Sequence, residues 1–283
     1  LEEGDEELTK LWAYFREVSL KEYNRIYKIL GSQFDSYNGE AFYNDKMQEV
    51  VDILDKNGAL IDSQGAKVVN VGDDMPPCIV LKSNGSTIYA TRDLAAILYR
   101  TRTYDFTKCI YITATEQILH FKQVFEAAKH LIDAEHQKGL VHVSYGMIRL
   151  KTGKMSTREG NVIYVKELLD EAVKKAKDII VNKNPNLENA DTVANQVGVG
   201  ALIFNYLKSG KNKDIIFDLD DTLRFDGETG PYVQYTYVRT KSILEKVGFN
   251  AENIDINSID FNALKEKQEV ELIKELEKFE SII

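Results

Sequence analysis

CIYITATEQILHF, residues Cys109 to Phe121, decides the fold. Its first six residues, Cys109 to Ala114, are β-branched, aromatic or small, the pattern of a strand buried on both faces. Thr115-Glu116 then turns the chain into a helix that the spacing predicts from about 116 to 133. The same alternation continues outward, with a helix predicted over about 91–100 before the strand and a second strand, Val141 to Ile148, after the helix. Strands alternating with helices predict parallel βαβ units, hence an α/β fold. Upstream, Leu8, Leu11, Trp12, Phe15, Tyr23, Ile26, Tyr27 and Leu30 form a helical stripe over about 5–30, closed by Gly31. A second helix is predicted over about 44–57, with Met47, Val50, Val51 and Leu54 on one face. Leu60 to Val71 and Cys78 to Tyr89 read as short strands, with Asn84-Gly85 as a hairpin turn. Beyond Lys166 the pattern is nearly all helix: about 166–182, 191–209, 231–247 and 260–281. The switch to continuous helix near Asp226 predicts a domain boundary.

Composition narrows the class. The chain has 283 residues, 43% hydrophobic and 29% charged, which is enough apolar material for a core. No run approaches the about 18 apolar residues of a membrane helix. The net charge of −9 does not suggest a DNA-coating protein, although local patches, not the sum, govern RNA binding. Cys78 and Cys109 are the two cysteines and form no Cys-x-x-Cys pair, so a disulfide scaffold is unsupported and the cytoplasm is the expected compartment. The opening Leu1-Glu2-Glu3-Gly4-Asp5-Glu6-Glu7 has neither a basic n-region nor an apolar h-region. It is expected to be the start of a piece of something longer.

The sharpest local motif is Gly153-Lys154-Met155-Ser156-Thr157-Arg158-Glu159-Gly160, set between a predicted strand and a predicted helix. A Gly-flanked loop bearing a Lys and hydroxyls can follow a phosphate as charge develops on it. It is not a Walker loop, because Ile148 stands where the first Gly would be. The segment resembles the Lys-Met-Ser-Lys-Ser loop of class I aminoacyl-tRNA synthetases, and the arginyl family among them. Tyr37-Asn38-Gly39-Glu40, Tyr89-Ala90-Thr91-Arg92-Asp93-Leu94-Ala95-Ala96, Glu116-Gln117-Ile118-Leu119-His120-Phe121, His142-Val143-Ser144-Tyr145-Gly146-Met147 and Gly227-Glu228-Thr229-Gly230-Pro231-Tyr232-Val233-Gln234-Tyr235 match that family in order and spacing. The resemblance implies the later half of a Rossmann-like catalytic domain over 1–225, then the start of a helical anticodon-binding domain over 226–283.

It also implies an activity: ATP-dependent activation of arginine, with Mg²⁺ and no prosthetic group, and transfer of the arginine to tRNA. The expected partners are tRNA, arginine and ATP, with no DNA and no membrane, in a monomeric enzyme. A guanidinium is planar and always charged, so its complement is carboxylates in bidentate geometry plus a flat neighbour. By resemblance Glu40, Tyr89 and Asp93 hold it, Tyr89 lying at a strand end and Asp93 in the first helical turn. Gln117 would take the amino-acid end, and the backbone near Gly146 and Met147 the adenine. Lys154, Met155 and Ser156 would meet the phosphates, with Lys154 and Ser156 as the catalytic pair. Read alone, Asp93 would be a helix-start carboxylate, Tyr89 a core aromatic, Gln117 an exposed first-turn residue and Met147 core filler.

Two departures qualify the match. None of His120, His130, His136 and His142 fits the family's His-Ile-Gly-His-type motif, which is expected before Leu1. Thr157 stands where many class I enzymes carry a second lysine, leaving the α-phosphate charge to a group elsewhere. The fragment by itself is therefore expected to be inactive. His120, on a mixed helix face, reads as a structural histidine. A rival lies in Ile215-Ile216-Phe217-Asp218-Leu219-Asp220-Asp221-Thr222-Leu223, which resembles the nucleophile segment of haloacid-dehalogenase phosphatases, with Asp218 attacking and Asp220 as acid/base. No βαβ run follows it to supply the remaining groups. The other alternative is a non-catalytic, RNA-binding relative. Gly198-Val199-Gly200 lacks the third Gly of a dinucleotide fingerprint, and the lysines near 174–177 and 208–213 read as solvated faces.

Overall fold

Helix α1 (Glu6–Leu30) is closed at both ends by its own sequence: Asp5 accepts from the Leu8 N–H, and Gly31 takes the left-handed φ of 72°. The structure, a computed structural model, describes residues 5–150, 164–249 and 255–282. It divides into two units, 1–233 and 234–283.

In the first unit a 3₁₀ segment (Glu40–Lys46) leads into α2 (Met47–Lys56), where a single helix was expected. Then come β1 (Leu60–Ser63), β2 (Ala66–Val69) and β3 (Cys78–Leu81), an antiparallel sheet in that order. The expected single strand over 60–71 is thus a hairpin. Gln64 and Gly65 both have positive φ, 49° and 81°, which suits the twist of a two-residue loop. The Asn84-Gly85 turn does form, but its return arm reaches only a single bridge, Leu81 to Thr87. Ile88 is already the extended residue that starts α3 (Tyr89–Tyr104). Tyr89 is therefore the first residue of a helix and not the end of a strand.

The predicted alternation follows. Strands β4 (Cys109–Ala114) and β5 (Leu140–Tyr145) pair in parallel, Cys109 opposite Leu140, and α4 (Ile118–Ala128) and α5 (Ala134–Lys138) connect them. The expected strand over 141–148 breaks at Gly146. There the 211–214 segment crosses so closely that a Cβ on Gly146 would lie 2.2 Å from the Lys213 carbonyl oxygen. The chain resumes as β6 (Ile148–Leu150), which pairs in parallel with β7 (Ile215–Phe217). Strand β7 falls between the predicted helices 191–209 and 231–247, where no strand is expected; three apolar residues between long helices carry too little period to announce one.

Val50, Leu54, Val69, Val80, Leu94, Ile97 and Val124 form the interior where α2, α3 and α4 meet the sheets, each 0–1% exposed. A smaller core joins α6 (Val165–Lys183) and α7 (Ala190–Leu207). Those helices approach closely because Gly198 faces the Ala172–Val173 backbone, where a Cβ would sit 2.8 Å away. After α8 (Leu219–Thr222), helix α9 (Gly230–Lys246) begins with Gly230 against Gly200 and Ala201. The second unit holds the rest of α9, then α10 (Lys267–Glu277) and α11 (Phe279–Ile282). Its expected helix over 260–281 starts later, after a short 3₁₀ turn, Phe261–Ala263.

Candidate functional site

Thr91 pins the start of α3 to the sheet. It is wholly buried; its hydroxyl donates to the Val80 carbonyl and accepts from the Ile88 N–H at 3.3 Å. With Leu94, Ala95, Ile97 and Leu98 turned into the core, Tyr89, Arg92 and Asp93 share the other face at spacings i, i+3 and i+4. That face carries two linked groups of side chains.

In the first, Arg92 Nη1 donates to Glu40 Oε2 at 2.9 Å, and its guanidinium lies 6.0 Å from the Tyr89 ring centroid. The Arg92 side chain is only 16% exposed, whereas Glu40 is 69% exposed, so Arg92 orients a carboxylate that still faces solvent. Glu40 and Arg92 also line a cavity of about 740 Å³ with Trp12, Arg16, Tyr37 and Phe42. In the second group, His120 of α4 bonds Asp93: Nε2 lies 2.6 Å from Oδ2. The carboxylate accepts, so Nε2 carries the proton. Burial pushes the Cys78 thiol up to about 11, and the Asp93 charge adds to this. The His120 ring meets Phe121 edge-on, Phe121 stacks on His142 at 4.8 Å, and His142 Nε2 lies 2.8 Å from Thr113 Oγ1. Burial, then the neighbouring His120, holds His142 below the usual imidazole range.

Glu40, Tyr89 and Asp93 therefore gather around the first turns of α3. Gln117 lies one turn before His120 at the head of α4, exposed and making no capping bond. Gly146 and Met147 sit at the end of β5, where the 211–214 segment occupies their N–H groups: Gly146 donates to the Lys211 carbonyl at 2.8 Å and Met147 to Asp214 Oδ1 at 2.9 Å. Lys154, Met155, Ser156 and Thr157 lie outside the described residues. Sequence reasoning missed Arg92 as the link between Glu40 and Tyr89, and took His120 for a structural residue; the signal for Arg92 was its i+3 spacing from Tyr89. The rival aspartates have other partners. Asp218 caps α8 by accepting from the Asp221 N–H, and Asp220 pairs with Lys175 at 2.6 Å. Among the described residues, no three of His, Cys, Asp or Glu converge on a cation site.

The family model for class I tRNA synthetases (R), catalytic domain, matches residues 1–219. The chain belongs to this family. The DALR anticodon binding domain model matches 233–283 of the synthetase chain. "Arginine--tRNA ligase" of Clostridium beijerinckii is 51% identical over the whole chain, which covers 49% of that protein. The Clostridium perfringens protein of the same name is 52% identical over 98% of the chain and 48% of its own length. The chain thus spans about half the length of these relatives. Among solved structures, arginyl-tRNA synthetase from Plasmodium falciparum superposes on 95% of the chain and 46% of its own, with a TM-score of 0.82 at 27% identity. The Thermus thermophilus arginyl-tRNA synthetase shares the fold, with a TM-score of 0.73 at 23% identity over 92% of the chain and 53% of its own.

Proposed function

We propose that the protein carrying this chain ligates arginine to tRNA. The arginine carboxylate attacks the α-phosphorus of ATP, forming arginyl-adenylate and releasing pyrophosphate; a terminal ribose hydroxyl of tRNA then takes the arginyl group and AMP leaves. The observation that carries this reading is the Asp93 carboxylate. It is one-third exposed on an anchored helix, one turn on from Tyr89 and next in sequence to Arg92, which orients Glu40 and lies over the Tyr89 ring. Two carboxylates and an aromatic face are the complement of a guanidinium.

In this reading Gln117 offers its amide to the amino-acid end, adenine lies near 146–147 without using their N–H groups, which residues 211–214 occupy, and Lys154 and Ser156, with Met155, meet the phosphates. Such catalysis works by positioning and charge stabilisation. Mg²⁺ would arrive with the ATP, on its phosphates. The junction of catalytic and anticodon-binding regions lies near Asp226, and the enzyme acts as a cytoplasmic monomer. No helix among the described residues is long and apolar enough to cross a membrane.

The test is ATP–pyrophosphate exchange by the full-length gene product with its tRNA present. Exchange should require arginine and fail with lysine or citrulline; exchange driven equally by another amino acid, or none with arginine, would overturn the reading.

A further inference from the structure

His120 is not one of the residues expected to hold the guanidinium, yet its ring nitrogen lies 2.6 Å from the carboxylate at the centre of that site. A carboxylate on a helix turns freely about two side-chain torsions, so a ligand that must meet both oxygens in one plane bears the cost of ordering them. The 2.6 Å contact from His120 Nε2 to Asp93 Oδ2 removes that freedom before any ligand arrives. His120 is itself held, by Phe121 edge-on and through it by the stacked His142, which also bonds Thr113 on β4. Asp93 and His120 remain 33% and 30% exposed, so the pair is open to a ligand and not sealed in the core.

We infer that His120 is a positioning residue for arginine specificity: it presents the Asp93 carboxylate to the substrate guanidinium in a fixed plane, with Oδ1 fully available. The inference rests on the arginine reading of the site. His120 touches no reacting atom, and the guanidinium is the end of arginine farthest from the carboxylate that reacts. Its loss should therefore weaken arginine binding more than turnover, and weaken most the preference for a charged guanidinium over the neutral urea of citrulline.

The experiment uses the full-length enzyme and compares His120→Leu, which keeps bulk against Phe121 but has no donor, with His120→Gln, whose amide nitrogen reaches about where Nε2 stands. Wild-type arginine-dependent exchange is measured first; its absence would sink the functional reading itself. Given that activity, His120→Leu should raise the KM for arginine about tenfold or more and cut discrimination against citrulline by a similar factor, while the KM for ATP stays within about twofold. His120→Gln should restore most of both. In an Asp93→Asn background, His120→Leu should add little, because the two side chains act as one unit. Should the leucine variant not fold, His120→Asn takes its place, since its shorter amide stops short of the carboxylate. An unchanged arginine KM and discrimination, equal loss in the glutamine variant, or full additivity with Asp93→Asn would each overturn the inference.

Discussion

Helices α1 and α3 carry similar apolar stripes and meet different ends. α1 is the longer, 25 residues against 16, yet none of its residues is buried. Leu8, Leu11, Trp12 and Phe15 remain 39–58% exposed, and only Ile26, Ile29 and Leu30 pack on the smaller core. α3 buries seven residues, is tied to β3 by Thr91 at its start, and is clipped at its far end. There Asp105, in the left-handed region at φ 45°, lies 3.1 Å from His136 Nε2, whose Nδ1 lies 2.6 Å from Asp133. α1 is capped only by its own chain. The difference shows that periodicity names a helix's apolar face, whereas side chains from other elements decide whether that helix can hold a site. Asp93, the acid proposed to meet the guanidinium, stands on the anchored helix; the exposed one lends Trp12 and Arg16 to the cavity wall and meets Tyr37 through Arg16 and Asn24.

Substitutions can break this contrast, beginning with the largest effect. Leu94→Ala opens a hole at a fully buried position and should cost about 2–5 kcal/mol in denaturant unfolding. Thr91→Val keeps the shape but strands the Ile88 N–H, so about 1–3 kcal/mol is expected. Leu11→Ala on α1 should stay within about 0.5 kcal/mol; a loss as large as that of Leu94→Ala would show that α1 is held after all.

The clip at the end of α3 should show itself through pH. His136 is held above the usual imidazole range, first by its hydrogen bond to Asp133, then by the charges of Asp133 and Asp105. Its contribution is therefore complete below the unfolded value of about 6.5 and fades as pH rises through the raised folded value. Asp133 is held low, chiefly by hydrogen bonds from His136, and so sets the acid limit: its share is lost as pH falls through its depressed folded value. The gap in melting temperature between wild type and His136→Gln should be widest near pH 5–6 and close by about pH 9; a gap that is flat across that range would remove the clip.

Much of this was legible in the sequence. The βαβ alternation and the αL cap at Gly31 follow from period and turn chemistry, whereas the grouping of Glu40 with Tyr89 and Asp93 came only from the family resemblance. What was not legible depends on pairs distant in sequence. β7 exists because β6 is there to pair with it, and β5 stops at Gly146 because residues 211–214 cross it. The partnerships of Arg92 with Glu40 and of His120 with Asp93 span 52 and 27 residues, beyond the reach of any local pattern. Tyr89 was misplaced for a different reason: the Asn84-Gly85 turn formed, but its second strand gave way to the helix start.

The central claim is that the Asp93 carboxylate selects arginine. Asp93→Asn keeps the size and one acceptor but removes the charge, and a hydrogen bond to a charged group is worth about 1.5–3 kcal/mol. Arginine-dependent pyrophosphate exchange by the full-length protein should therefore fall about 10- to 150-fold in kcat/KM. A variant that stays within about twofold of wild type would remove Asp93 from the guanidinium site and the account with it.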